Sequence, residues 1–199
     1  MEPPDIALFY NEGLPSEMFE EFKTAIARDE LKLLVQPKPD EGPMACEEWF
    51  IPTAVMAFIG ASYFGTIFKE MGKDHYALLK EKLAGVATDV MKKPRIEPVI
   101  LGTPGKVSEN NPYTLGFSIY AEANDGNRFK LLLPKPHDTV DYTEIVYTFM
   151  EYLNNFHLGI YTLSDIGFDD SKLLPAGHIF VHMNLETKNI EWLDASEYR

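Results

Sequence analysis

The chain has 199 residues, of which 45% are hydrophobic and 25% are charged, a composition typical of a folded globular protein. Its 31 acidic residues outnumber its 18 basic residues and give a formal net charge of −13. Such a surface repels phosphate backbones, which argues against nucleic acid as a partner. Since this length suits one hydrophobic core, we expect a single domain over residues 1–199.

Cysteine occurs once, at Cys46, which excludes an intramolecular disulfide and a thiolate-rich zinc site. Residues 1–5 are acidic and lack the order of a secretory signal, a basic region followed by an apolar one. These two features predict a cytoplasmic protein. Because no phosphate-binding glycine loop, nucleophile elbow or zinc-binding histidine pair appears, we expect neither a cofactor nor a metal.

Strand and helix patterns alternate at the start of the chain. The apolar run 6–10 predicts a buried strand, and the run 31–35 predicts a second one before a loop at 36–43 that is rich in Pro and Gly. Between the two strands, helical spacing places three residues on one buried stripe: Phe19, Phe22 and Ile26. This order predicts a βαβ unit with parallel strands.

Residues 5–10 and the helix that follows resemble the opening of flavodoxin-like and TIR-like domains over about a sixth of the chain. The second half does not continue the alternation that those folds require, so no activity is carried over from them. In an open parallel sheet, the loop after the first strand borders a ligand crevice. The loop from Tyr10 to Gly13 is therefore a candidate for ligand binding, through Tyr10, Asn11 and Glu12.

The stretch from Phe50 to Phe68 contains no charged residue. We predict a buried helix over it, in which Ala57, Ala61 and Gly65 recur at i,i+4 spacing and permit close contact with a partner or a second copy of the chain. The alternative is a membrane-active segment. Five residues make it a poor membrane span: Pro52, Thr53, Ser62, Tyr63 and Thr66.

The helical pattern continues to Met91, with a break expected at Gly72. Lys73, Asp74 and His75 follow this glycine and are catalytic candidates, since a lysine, a carboxylate and an imidazole can exchange protons. The competing interpretation places His75 on the apolar stripe of the helix as a hydrogen-bonded, partly buried side chain.

The second half of the chain favours antiparallel hairpins. Alternating residues predict one hairpin from 115–123 and 128–133 and another from 179–183 and 190–193, with an extra strand at 99–101. A helix between the hairpins is expected to start at a cap on Asp138 or Thr139 and to end at Gly159. His178 and His182 lie on one strand, too far apart to share a metal ion.

These patterns predict a mixed α/β fold in which an N-terminal βαβ unit and the later hairpins share one continuous sheet, packed by about four helices. For function, the acidic surface and the lack of catalytic signatures favour protein–protein interaction, as a regulatory, accessory or immunity-type binding partner. The first alternative is a small hydrolase or nucleotide-using enzyme built on Asp74 and His75 or on the Tyr10 to Gly13 loop. The second is the membrane-active segment from Phe50 to Phe68.

Overall fold

A computed structural model describes residues 3–39, 52–92, 111–123, 126–172 and 174–194. The strand expected at 99–101, Cys46 and the first two residues of the uncharged stretch, Phe50 and Ile51, lie outside these residues.

The described residues form seven strands and three α-helices. The strands are β1 (Ile6–Asn11), β2 (Leu33–Lys38), β3 (Val55–Ile59), β4 (Tyr113–Glu122), β5 (Arg128–Pro134), β6 (His178–Met183) and β7 (Ile190–Trp192). The helices are α1 (Glu17–Ile26), α2 (Phe68–Met91) and α3 (Tyr142–His157), with a π-helical segment at Tyr63–Ile67 and short 3₁₀ helices at Leu163–Ile166 and Pro175–Gly177. One mixed sheet in the order β2-β1-β3-β4-β5-β6-β7 confirms the predicted mixed α/β fold.

Three βαβ units build this sheet, since β1 pairs in parallel with β2, β3 with β4, and β5 with β6. Antiparallel pairing joins one unit to the next and adds β7 at the end. All three helices pack on one face of the sheet. Viewed from that face with the strands of a unit pointing up, the second strand lies on the same side of the first strand in the first two units. In the third unit, β5 to β6, it lies on the other side. Its crossover therefore has the opposite hand, whereas such connections are nearly uniform in hand.

The hydrophobic core lies between the three helices and one face of the sheet. Alternate residues of each strand point into it because successive side chains of a strand lie on opposite faces. Fully buried members from the strands include Ile6, Leu8, Val55, Phe117, Ile119, Phe129, Leu131, Ile179 and Val181. The predicted stripe of α1 also belongs to the core. The opposite face of the sheet carries the remaining strand residues.

The prediction of one helix from Phe50 to Phe68 is wrong, because residues 55–59 form β3 in the middle of the sheet. An uninterrupted apolar run has no period, so it fits a strand buried on both faces as well as a buried helix. β3 ends at Ile59, and the next residue, Gly60, donates its N–H to the Asp5 carbonyl oxygen at 2.8 Å. A Cβ atom at Gly60 would lie 3.1 Å from the Pro4 carbonyl oxygen, so a glycine fits this close approach.

Two predicted boundaries are also corrected. The loop expected from residue 36 begins later, because β2 continues through Pro37 to Lys38. β2 is an edge strand, where a proline without an N–H is tolerated. The cap of α3 is Asp141 rather than Asp138 or Thr139, and its Oδ1 accepts bonds from the N–H groups of Thr143 and Glu144.

The break at Gly72 is confirmed: this residue has φ 76° and ψ −179° between two helical parts of α2. Glycine adopts such a conformation at little steric cost. Within the described residues, no helix combines the length and the apolar character needed to cross a bilayer.

Candidate functional site

The adjacent residues Lys73, Asp74 and His75 do not converge. Lys73 and Asp74 are exposed, whereas His75 points into the core and is only 4% exposed. Its Nε2 lies 2.9 Å from the Ile26 carbonyl oxygen, and its Nδ1 lies 3.0 Å from the Tyr63 hydroxyl. A carbonyl oxygen only accepts, so Nε2 carries a hydrogen, and in the neutral ring Nδ1 accepts from Tyr63. This geometry favours the competing interpretation, a buried histidine that links α1 to α2.

The loop after β1 also lacks a converging set of free polar groups. Tyr10 is buried, with its ring stacked on that of Phe19 at a centroid distance of 3.9 Å. Asn11 is nearly buried, and its Oδ1 accepts a bond from the Gly13 N–H at 2.8 Å, which closes the turn. Glu12 is exposed. Tyr10 and Asn11 are therefore occupied in shaping the loop, and of the three candidates only Glu12 faces solvent.

A polar cluster lies on the face of the sheet opposite to the helices. Its buried members line one small cavity: Thr53, Asn111, Thr114, Ser118 and Lys130. The Thr53 hydroxyl donates to the Val55 carbonyl oxygen at 2.6 Å, so the Ser118 hydroxyl, 2.7 Å away, donates to Thr53. The cavity measures about 10 Å³, about the volume that one water molecule needs. This cluster suits a bound water rather than a substrate.

One member of the polar cluster, Lys130, lies beside an aromatic ring, that of Tyr120. The Lys130 side chain is 2% exposed, and its Nζ lies 5.4 Å from the centroid of the Tyr120 ring. Burial raises the pKa of Tyr120 to about 12, and a hydrogen bond with Ser118 opposes this rise. The phenol therefore stays protonated at neutral pH and fills space beside the lysine.

Metal binding was not expected, and the described ranges contain no group of three or more His, Cys, Asp or Glu side chains arranged to hold an ion. His178 and His182 do lie on one strand, β6, as predicted. The ring of His182 packs edge-on against Tyr113, and that of His178 packs edge-on against Tyr120. Both imidazoles thus take part in aromatic packing on the sheet.

The three candidate interface residues do not share a helical face. Ala57 is buried in β3, Ala61 starts the helical region after it, and Gly65 lies in the π-helical segment. Gly65 is exposed, with no atom within 4 Å of a Cβ built on it. The small-residue stripe therefore does not form, although Gly65 does lie on the surface.

A different surface stands out by its exposed hydrophobic side chains. Among the described residues, Leu158, Ile160 and Tyr161 are 60%, 62% and 40% exposed, and they fall within four consecutive positions. We call residues 158–161, which directly follow α3, the apolar tip. Exposed hydrophobic side chains are usually scattered singly over a protein surface, so this grouping of three within four positions is unusual.

The backbone holds the apolar tip in a fixed shape. Gly159 has φ 72° and its N–H bonds the Phe156 carbonyl oxygen at 3.0 Å, while the Ile160 N–H bonds the Asn155 carbonyl oxygen at 2.9 Å. These two bonds define a Schellman motif, in which the residue at the position of Ile160 usually packs on an apolar residue in the last turn. The corresponding positions here are Asn154 and Asn155, and Ile160 remains exposed.

A second capping interaction fixes the chain after the tip. The Asp165 Oδ2 atom accepts bonds from the Thr162 N–H at 2.7 Å and from the Thr162 hydroxyl at 2.8 Å. The Tyr161 ring stacks on the Tyr152 ring at 6.0 Å between centroids. Both ends of the tip are thus anchored, to α3 and to the following 3₁₀ helix.

His157 connects the apolar tip to the π-helical segment. Its ring lies parallel to that of Phe64, with 4.4 Å between centroids and an interplanar angle of 9°. Its Nε2 donates to the Glu122 carbonyl oxygen at 3.1 Å. Burial lowers the pKa of His157, although the hydrogen bond to Glu122 and its carboxylate charge oppose this effect. The imidazole beside the tip is therefore uncharged at neutral pH.

We expect the free energy of unfolding to fall as the pH is lowered from about 7.5 to about 5.5. The pKa values of His157 and His182 are lowered from an ordinary value of 6.5, in both cases mainly by burial, so the unfolded chain binds protons first as the pH falls. Urea denaturation at several pH values measures this slope. His157→Gln and His182→Gln should each make it shallower. Stability that is flat or rises toward acid would contradict the assignment.

The sequence gives one signal for the apolar tip that the prediction did not use. Gly159 was expected to end α3, and it does. The positions before it, Asn154 and Asn155, are polar where a Schellman motif usually has an apolar partner for the residue after the glycine. That mismatch indicates that the Ile160 side chain lacks the apolar partner that such a residue usually has in the last turn of the helix.

The sheet and helices define a mixed α/β protein, and within its described residues the apolar tip groups three exposed hydrophobic side chains. No protein-family model matches the chain, and neither a curated protein nor a solved structure is significantly similar to it.

Proposed function

We propose that this protein acts by binding another protein, with the apolar tip as the anchor of the interface. The observation that carries the proposal is the exposure of Leu158 and Ile160 at 60% and 62% of their surface, two positions apart in the chain directly after α3. Burying a fully exposed leucine or isoleucine side chain contributes about 1.5 to 3 kcal/mol, so covering the exposed part of these two residues contributes about 1 to 2 kcal/mol each to binding.

The fixed shape of the tip supports this function. Ordering a flexible loop on binding costs conformational entropy, and a surface that is already ordered avoids that cost. Here the Schellman motif at Gly159 and the bonds between Thr162 and Asp165 hold the backbone in place before a partner arrives. Tyr161, stacked on Tyr152, adds an aromatic side chain of the kind common in interface hot spots.

A second protein is favoured over a second copy of this chain. Each copy carries a formal charge of −13, and Asp165 is exposed directly beside the tip. Two tips in contact would bring like charges together, which disfavours self-association.

The enzymatic alternative receives no support at its named residues. His75 is occupied by Ile26 and Tyr63, and the side chain of Asn11 is used by its own turn. A general base must reach a proton on a bound substrate, and a buried histidine with both nitrogens bonded does not. We place the interaction in the cytoplasm because a chain with one cysteine suits a reducing compartment.

The experiment introduces a photo-crosslinking amino acid at Ile160 and, as a matched control, at Leu185. Leu185 is also exposed, at 39%, but it lies in the turn between β6 and β7. In cells of the source organism, we expect a discrete adduct at position 160 and none at 185. The partner captured in the adduct is then purified, and its affinity for this chain without the photo-crosslinking amino acid is measured by calorimetry.

In that purified pair, Ile160→Ser and Leu158→Ser should each weaken binding at least about tenfold, which corresponds to about 1.4 kcal/mol. Leu185→Ser should leave the affinity unchanged. All three variants should keep the melting temperature of the parent, because exposed side chains contribute little to stability. No adduct at position 160, or full affinity in Ile160→Ser, would refute the proposal.

A further inference from the structure

The loop that follows the apolar tip is uniformly acidic. Residues 158–171 include three aspartates, Asp165, Asp169 and Asp170, and no lysine, arginine or histidine. All three aspartates are exposed. The next basic residue, Lys172, bonds Asp194 with 2.8 Å between Nζ and Oδ2. The tip therefore has a negative flank on its C-terminal side.

The nearest of these charges is tied to the tip itself. Asp165 accepts two hydrogen bonds from Thr162. These bonds hold its carboxylate beside the residue that follows Tyr161, whose aromatic ring is exposed. These bonds lower the pKa of Asp165, and bonds from Ser171 lower that of Asp169. Both carboxylates are ionised at neutral pH.

The side of the tip formed by α3 differs. Its last residues before the tip include Asn154, Asn155 and the uncharged His157, and Glu151 one turn earlier pairs with Lys80. The three exposed aspartates therefore follow the tip, whereas on the α3 side the Glu122 carboxylate, which acts on His157, is half-buried and accepts a bond from the Ala61 N–H. A partner that covers the tip must satisfy both halves of this pattern.

We infer that the partner receives the apolar tip in a hydrophobic recess bordered on one side by lysine or arginine residues. This inference rests on the proposed function and specifies the partner. An apolar recess matches Leu158 and Ile160, and a basic border pairs with the three aspartates. Charges at the edge of an interface mainly accelerate association, whereas a buried apolar anchor mainly slows dissociation.

The test measures association and dissociation rates of the purified pair by stopped flow, at about 0.02 M and about 0.5 M salt, conditions that screen exposed charges very differently. The charge variant combines Asp165→Asn, Asp169→Asn and Asp170→Asn. Its control is Asp138→Asn, an exposed aspartate near the start of α3, about 24 Å from the tip for a helix of 16 residues.

At low salt, the triple variant should associate at least about fivefold more slowly than the parent, and the difference should shrink at high salt. The dissociation rate should stay nearly unchanged, and Asp138→Asn should behave as the parent. Ile160→Ser should instead increase the dissociation rate. If Ile160→Ser weakens binding but the triple variant associates at the parental rate, the basic border is refuted while the proposed function stands. If neither changes binding, both fail.

Discussion

Phe129→Ala is expected to lower the free energy of unfolding by about 3 to 5 kcal/mol, the largest single effect we anticipate. Phe129 is fully buried in β5 and makes edge-to-face contacts with Tyr152 at 5.6 Å and with Phe156 at 5.1 Å. Removing the ring leaves a cavity between the sheet and the part of α3 that leads to the apolar tip. Urea denaturation, followed by circular dichroism, measures the loss.

Phe129→Leu is the matched control for this prediction. It keeps most of the buried volume but loses the aromatic contacts, so we expect a loss smaller than that of Phe129→Ala. Equal losses in the two variants would show that ring geometry, rather than filled volume, stabilises this part of the core. A loss below about 1 kcal/mol for Phe129→Ala would contradict the packing described for α3.

His75→Leu is expected to destabilise the protein by about 2 to 4 kcal/mol, because it leaves two buried polar groups without their partner. These groups are the Ile26 carbonyl oxygen and the Tyr63 hydroxyl. The neighbouring Asp74 is exposed, so Asp74→Ala should change the stability by less than about 0.5 kcal/mol. A large loss of stability for His75→Leu beside a small one for Asp74→Ala would show that His75 has a structural role, rather than acting with Asp74 as the acid–base pair that the sequence suggested.

A double-mutant cycle with Tyr63→Phe tests the contact directly. Because Tyr63→Phe removes one of the two orphaned groups, the pair His75→Leu and Tyr63→Phe should cost less than the sum of the single variants. Additive losses would mean that the two side chains do not interact in solution. A stable His75→Leu variant would reopen the question of a functional role for His75.

Several elements could be predicted because their patterns are local. The stripe of Phe19, Phe22 and Ile26 has a helical period, and the two-residue period of the sequence at 115–123 matches a strand, β4. The turn at Gly72 and the end of α3 at Gly159 follow from the freedom of glycine at positive φ. In each case the residues that specify the element lie within a few positions of one another.

The sequence could not distinguish strand from helix where the period was missing. Residues 55–59 are apolar on both faces because β3 lies in the middle of the sheet, between β1 and β4. Residues far away in the chain decide which strands flank a segment. They therefore also decide how deeply the segment is buried and which backbone groups it bonds. The interface stripe of Ala57, Ala61 and Gly65 failed for the same reason.

The candidate sites depended on tertiary structure even more strongly. The sequence placed Lys73, Asp74 and His75 together, but only the packing of α1 on α2 turned His75 inward toward Ile26 and left Asp74 in water. The hand of the third crossover was likewise a property of the whole sheet, since it follows from the face on which α3 packs.

By itself, the sequence determined the negative net charge, the amphipathic stripes of α1 and α3, and the hairpins, because composition and short-range periodicity need no knowledge of distant residues. Tertiary structure decided which apolar residues stay in water. Ile160 is as hydrophobic as Ile145 on α3, yet it is 62% exposed while Ile145 is fully buried. The difference arises because the backbone turn at Gly159 directs the chain away from the core, so that no side chain of the described fold covers Ile160 fully.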